Sequence, residues 1–275
     1  MSCGVGCSLV RMRIARIATV EGMTFCSVEG DGDDAICRQI DGHPFGEPTL
    51  TGKEWPLADV RLLAPILAPK VVAVGRNYAD HVEEVFNKGA EYLPPTIFLK
   101  PPTAITGPGA PIKIPNFATN VEFEGELAIV IGRPVKNVSA ENWRDAVLGY
   151  TIVNDVSSRD LQFADGQWAR AKGLDTFCPM GPWIETNLDA LDLEGLPIRA
   201  HLTHDGVTTV KQDSNSNQMI KSVPEIVEWV SQAFTLLPGD VISTGSPAGT
   251  AQMVPGDEIE IEIPGLGSLK NPVTA

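Results

Sequence analysis

The stretch VEFEGELAIVIG, residues 121–132, constrains this chain more than any other. Read as a strand, it sets Glu122, Glu124 and Glu126 on one face and Val121, Phe123, Gly125 and Leu127 on the other. From Ala128 to Ile131 both faces are apolar, so the strand enters a buried sheet while its acids stay at one end. Carboxylates a few ångströms apart inside a protein either take up protons or need a cation. An acidic alternation alone also describes a solvated strand face; the apolar continuation weighs against that reading.

The 275 residues suffice for one large domain, or a small one plus a larger one, with a full core and no covalent staples. The cysteines, Cys3, Cys7, Cys26, Cys37 and Cys178, are odd in number and lack CxxC spacing. They point to free thiols in a reducing cytoplasm rather than to a disulfide framework or a zinc site. A formal net charge of −14 disfavours nucleic acid or an anionic membrane as partner, since phosphate binding wants a basic face. No stretch approaches the roughly 20 apolar residues of a membrane span, and no basic segment precedes an apolar one at the N-terminus. A soluble, cytoplasmic protein is expected. Residues 1–11 are set aside as an extension. The runs RIARIATV, TFCSVEG and AICRQI, separated by Gly-Asp and Gly-His-Pro turn signals, predict a small β-rich N-terminal domain over residues 12–65. WPLADVRLLAPILAPK leads from it into a main domain, residues 66–275.

In VVAVGRNYADHVEEVFNKG a strand ends at Gly75 and a short helix follows Asn77, with Asn or Asp at its start and Gly89 after its last turn. His81 and Glu84, three apart, share a face of that helix. They are either a surface pair or a general base oriented by a carboxylate. Arg76 and Tyr78 flank the turn and suit a substrate carboxylate. Lys100, closing the apolar run TIFLK, reads as surface before site. SAENWRDAVLGY reads as one short helix. TIVNDVSSRDLQ repeats the logic of the central strand: Thr151–Val153 deliver Asn154 and Asp155, followed by Ser158, Arg159, Asp160 and Gln162. A third acid at the end of a buried strand completes a carboxylate set for a hard ion, Mg²⁺ or Mn²⁺ before Zn²⁺. ADGQWARAKGLDTFCPMGPWI shows no period and is expected to be a long functional loop. In it Arg170 and Lys172 either face solvent or neutralise an anionic ligand or developing enolate. Asp205-Gly206 marks a hairpin turn, and the flanking His201 and His204 point to opposite faces, against a joint metal role. Ser222 and Glu225 form a capping box for an amphipathic, core-packing helix. LPGDVISTGSPAGT is a strand ending in a Gly-rich loop with Ser243 and Thr244, and DEIEIEI reads as an outer strand with a wet acidic face.

GRNYADHVEE, EFEGELAIVIG, GYTIVNDVSSRDLQ, the lysine of ARAKG, and LPGDVISTGSPAGT, in this order, resemble the fumarylacetoacetate hydrolase family over about residues 65–274. The resemblance is to the bacterial branch of oxaloacetate decarboxylases, acylpyruvate hydrolases and the isomerase/decarboxylases of homoprotocatechuate breakdown. It implies a mainly β main domain with few short helices, a mixed β-sandwich roll, and a homodimer. It implies that Glu124, Glu126 and Asp155 hold Mg²⁺ or Mn²⁺ and that Glu122, where the family often has aspartate, is not a ligand. His81 and Glu84 match an acid/base dyad on a lid segment, and Lys172 an enolate-stabilising lysine. Arg159 and Gln162 match substrate-facing positions, and Thr244 a substrate-binding threonine. Residues 12–65 resemble the small domain of one subgroup. The expected activity is metal-dependent C–C cleavage of a small 2-oxo acid, chelated through its 2-oxo and carboxylate oxygens, with oxaloacetate decarboxylation first. Hydrolysis of acylpyruvate or fumarylpyruvate, and isomerisation of 2-hydroxyhepta-2,4-diene-1,7-dioate, are the alternatives. A metal-stabilised binding protein is the non-enzymatic one; it has no use for His81, Glu84 and Lys172.

Overall fold

Strand parity and burial build the molecule around two sheets. The computed structural model describes residues 12–46, 48–87 and 93–275, so the expected extension and Gly89 lie outside the described residues. The N-terminal unit is β1 (Arg13–Thr19), β2 (Gly22–Glu29), β3 (Ile36–Asp41), β4 (Thr49–Pro56) and β5 (Arg61–Leu63). Next come β6 (Val71–Gly75), α1 (Ala79–Phe86), β7 (Thr96–Lys100), β8 (Ile105–Thr106), β9 (Ile112–Lys113), β10 (Val121–Glu122) and β11 (Gly125–Ile131). They are followed by β12 (Val147–Asn154), β13 (Ser157–Ser158), α2 (Arg159–Asp165), α3 (Trp168–Lys172) and β14 (Cys178–Glu185). The chain closes with β15 (Pro197–His204), β16 (Val207–Asn215), α4 (Val223–Ala233), β17 (Val241–Ser243), β18 (Glu258–Ile263) and β19 (Gly267–Thr274).

A 12-stranded mixed sheet runs β4-β3-β2-β1-β14-β12-β11-β17-β6-β7, with β5 on β1 and β8 on β14; a 5-stranded sheet runs β16-β15-β18-β19-β9. The fold is thus the expected mainly β sandwich with few short helices. Leu127, Ile129 and Ile131 of β11 face Ile198, Ala200, Ile259 and Ile261 of the smaller sheet. Ala128 and Val130, on the other face of the same strand, pack with Val153, Met180, Ile184 and Val241. Burial on both faces is why β11 reads as a continuous apolar run. The N-terminal unit adds to the same sheet, through Arg13↔Glu185 and Ile14↔Ile184. No helix of the described residues is long and apolar enough to cross a membrane.

Several elements differ from their sequence reading. The acidic strand breaks at Phe123 and Glu124: β10 pairs with β13, and β11 with β12 and β17. SAENWRDA is a 3₁₀ segment, Ala140–Ala146, with Asn142 outside helical geometry, and VLGY already belongs to β12. Trp143 and Ala146 are buried, and a tighter helix of three residues per turn also brings i and i+3 to one face. The expected loop after Gln162 instead holds α3 and the buried strand β14, which has no alternation because both faces are covered. β18 is not an outer strand, since β15 and β19 pair on its two sides, although its glutamates do form the wetter face. α1 ends at Asn87 in left-handed conformation (φ 51°, ψ 42°), and Tyr78 precedes it without a side-chain cap. Asn77 instead braces the turn, donating to the carbonyls of Lys221 (3.0 Å) and Thr244 (2.8 Å). The capping box of α4 and the Asp205-Gly206 turn are as expected.

Candidate active site

Pairing of β11 with β12 sets Gly125 opposite Asn154, so the residues just beyond, Glu124 and Asp155, come side by side at the ends of these two interior strands. The Asp155 N–H donates to the Glu124 carbonyl (2.9 Å), and Asn154 Oδ1 accepts from the Glu124 N–H (3.0 Å). Glu126 lies one residue into β11. Glu124, Glu126 and Asp155 are 4, 2 and 1 % exposed, and one carboxylate oxygen from each lies within 4.8 Å of the others.

Four carboxylates here face three cations. Lys172 Nζ donates to Glu124 Oε2 (2.8 Å), Asp155 Oδ2 (2.7 Å) and Ser157 Oγ (2.6 Å). Lys100 Nζ bonds Asp155 Oδ1 and the Val156 carbonyl (3.3 Å). Arg159 donates to Glu122 Oε2 (2.8 Å) and Gln162 Oε1 (2.9 Å). Its Nη2 stands 2.7 Å from Glu124 Oε1, yet neither atom has an aligned hydrogen-bond partner among the described residues. The two form an ion pair by distance. Burial would raise the Glu124 carboxyl, but the charges of Lys172 and then Arg159 outweigh it and hold it well below the usual range. Glu126 goes the other way. Burial, then the charges of Asp155 and Glu124, push it up to about 8, against the bond from Ser243 Oγ (2.5 Å). A buried carboxyl pushed up by burial and two acidic neighbours, within reach of two further buried carboxylates, is a set that fits a hard divalent cation.

His81, buried on α1, connects this cluster to a fifth acid, Glu84. Its Nδ1 is 3.2 Å from Glu84 Oε2, and its Nε2 is 3.6 Å from Glu124 Oε1. Glu84 is held in turn by the Gly249 N–H (3.0 Å). Burial lowers the imidazole's proton affinity; the bonds to Glu124 and Glu84 more than reverse this, so the net shift is upward. Arg76, Gln162, Lys172 and His81 line the same small pocket as Glu124 and Glu126. Arg76 has a positive φ of 61°, and its guanidinium lies over the Trp168 ring at 5.4 Å. Tyr78 is fully buried and its hydroxyl finds no hydrogen-bond partner among the described residues; burial, then Glu126 and Asp80, raise the phenol. Thr244 uses its hydroxyl on the Leu127 carbonyl (2.9 Å), whereas its neighbour Ser243 reaches Glu126. Arg170 pairs with Asp165 at the surface and is not part of the cluster. His201 and His204 stay apart, pairing with Glu262 and Asp257.

Lys100 corrects its surface reading. It is 1 % exposed and shares a face of β7 with Phe98, whose ring lies 5.1 Å from Lys172 Nζ. Strand parity puts Phe98 and Lys100 on one face but does not say that this face turns inward. Ser157 and Ser243, hydroxyls at strand ends, are further partners of the cluster that the sequence pattern does not single out.

A buried three-carboxylate cluster at the strand ends of a mixed β sandwich, with a His-Glu pair leaning on it, defines a class of site for a hard cation and a small anion. The chain belongs to the fumarylacetoacetate hydrolase family: the family model Fumarylacetoacetate (FAA) hydrolase C-terminal matches residues 70–274, and the model Rv2993c-like, N-terminal matches residues 12–65. It is 54% identical over 265 residues to Protein Rv2993c of Mycobacterium tuberculosis, covering 95% of this chain and 98% of that one. It is 34% identical over 273 residues to Oxaloacetate tautomerase YisK of Bacillus subtilis, covering 95% and 89%. Its structure matches Cg1458 with inhibitor at a TM-score of 0.94 and 69% identity, over 96% of this chain and 99% of that one. It matches fumarylpyruvate hydrolase from Pseudomonas aeruginosa, in complex with Mn²⁺ and pyruvate, at 0.70 and 29%, over 82% and 92%.

Proposed function

We propose that this chain is a divalent-metal-dependent enzyme that decarboxylates oxaloacetate through the enolate of pyruvate. The observation that carries the reading is the convergence of His81 and Lys172 on the buried Glu124, Glu126 and Asp155; an ion with a purely structural role needs neither. Glu124, Glu126 and Asp155 would hold Mg²⁺ or Mn²⁺, whose Lewis acidity stabilises negative charge on the 2-oxo oxygen. Arg159, Gln162 and Arg76 bind and orient the carboxylates of the substrate. As the C3–C4 bond breaks, its electron pair passes into the enolate and carbon dioxide leaves. Lys172 offsets the charge that develops. His81 then gives its proton to C3, while Glu84 keeps the ring in place.

A second reading is keto/enol tautomerisation of oxaloacetate, in which the same imidazole takes a proton from C3 and the 2-oxo oxygen receives one. Its support is that relatives from Bacillus subtilis, Xenopus laevis and Rattus norvegicus, 34%, 40% and 38% identical, are oxaloacetate tautomerases. Following enol absorbance and pyruvate release together, for wild type and His81→Ala with Mg²⁺, separates the two. Pyruvate release that depends on protein and falls at least 100-fold in His81→Ala is expected. Enol equilibration with no protein-dependent pyruvate would leave tautomerisation as the reaction.

A further inference from the structure

Arg76, Phe86, Gln162 and Trp168 line two spaces at once. The inner one is the acid pocket, with about 10 Å³ free, room for about one water. The outer one has about 560 Å³ and is walled further by Leu93, Ile97, Phe98 and Phe163. Trp168 is the partition between them. A Cβ built on Gly75 would stand 2.2 Å from its Cζ3, so the indole occupies ground that only glycine leaves bare. The ring is held there by Phe86, stacked at 6.3 Å and 18°, and by Phe98, edge-on at 5.2 Å. Phe163, 58 % exposed, meets Phe86 edge-on at 6.0 Å and brings the outer chamber to the surface. That chamber has an aromatic and aliphatic wall and a polar one of Arg76, Thr96, Gln162 and Gln167, while the inner pocket is charged.

The geometry points to Trp168 as a specificity-determining residue: its indole, seated on Gly75, closes the acid pocket against an outer chamber whose aromatic and aliphatic wall fits the tail of a longer 2-oxo acid. The inference rests on the 2-oxo acid reading above and sets the length limit of that site. With the indole seated, a 2-oxo acid that enters as the charged side chains around the pocket of about 10 Å³ move apart ends at Arg76 and Gln162. With it displaced, a tail runs into the outer chamber and gains about fourfold in affinity per buried methylene.

The test is calorimetric binding of pyruvate, 2-oxohexanoate and 2-oxooctanoate with Mg²⁺ present, a series that does not depend on turnover. In wild type, affinity should not rise with length. In Trp168→Ala it should rise at least tenfold from pyruvate to 2-oxooctanoate. Gly75→Ala, which pushes the intact indole off its seat, should shift the preference the same way, and Trp168→Phe should restore the wild-type order. Should Trp168→Ala fail to fold, Gly75→Ala decides. A wild type that already favours 2-oxooctanoate as steeply as the variants, or variants that bind pyruvate with no length dependence, would overturn the proposal, as would no binding of any of the three acids. Oxaloacetate turnover measured alongside keeps the two readings apart: its absence with the length series as stated defeats the reaction alone.

Discussion

Lys100 shows how much of this site rests on single buried charges. It gives Asp155 a second ammonium partner beside Lys172. Removing one partner of a buried pair leaves uncompensated charge, so Lys100→Met is expected to lose about 3 kcal/mol in urea denaturation with EDTA present. The loss should shrink with Mg²⁺, because less positive charge then competes with the ion for Asp155. An equal loss in both conditions would contradict the shared-charge account. At this scale the acids were legible because they sit at the ends of apolar strands, and His81 and Glu84 because i,i+3 spacing shares a helix face. Lys100 was not, since a five-residue apolar run does not say which of its faces turns inward. Ser243 and Thr244 differ by one position at a strand end, where a single residue exchanges the faces, and the structure assigns the contact with Glu126 to Ser243.

Among the elements, α2 carries Arg159 and Gln162 and is pinned through Asp160. That carboxylate accepts from Ser158 Oγ (2.5 Å), the Thr119 N–H (3.1 Å) and Thr119 Oγ (3.2 Å). Burial would raise Asp160, but the bond from Ser158 and then those from Thr119 and Asn120 outweigh it and lower the group to about 2. The folded value is below the unfolded one, about 3.9, so the stabilisation is fully present above pH 4 and is lost as pH falls through about 2. Asp160→Asn is expected to lose about 1–2 kcal/mol at pH 7, allowing for partial exposure, with the gap to wild type closing from pH 4 toward pH 2. Denaturation curves at stepped pH check this; a gap that widens on acidification would contradict it. Elements with a wet face or a strong cap were readable: the Asp205-Gly206 hairpin, the capping box of α4, the alternation of β18. β14 was not, since strands covered on both sides lose the period that identifies them. The break at Phe123 and Glu124 was hidden for another reason: β10 and β11 pair with different partners, and pairing is not written in the alternation.

At the scale of the molecule, the β-rich character of residues 12–65 was legible, whereas the addition of β1 to the edge of β14 is a long-range pairing that local pattern cannot show. β16, an edge of the smaller sheet, leaves Val207 and Val210 64 and 55 % exposed. An edge with exposed valines invites cover, and we expect a homodimer whose interface lies in the main unit rather than in residues 12–65. Light scattering at micromolar concentration should give twice the chain mass; a monomer would contradict it. The central claim concerns Glu124, Glu126 and Asp155, and its most direct measurement is a Mn²⁺ titration of EDTA-stripped protein with oxaloacetate turnover followed in parallel. We predict one Mn²⁺ per chain, activity returning in proportion to occupancy, and both lost in Asp155→Ala. Full activity in the stripped protein, or Mn²⁺ binding unchanged in Asp155→Ala, would contradict the account.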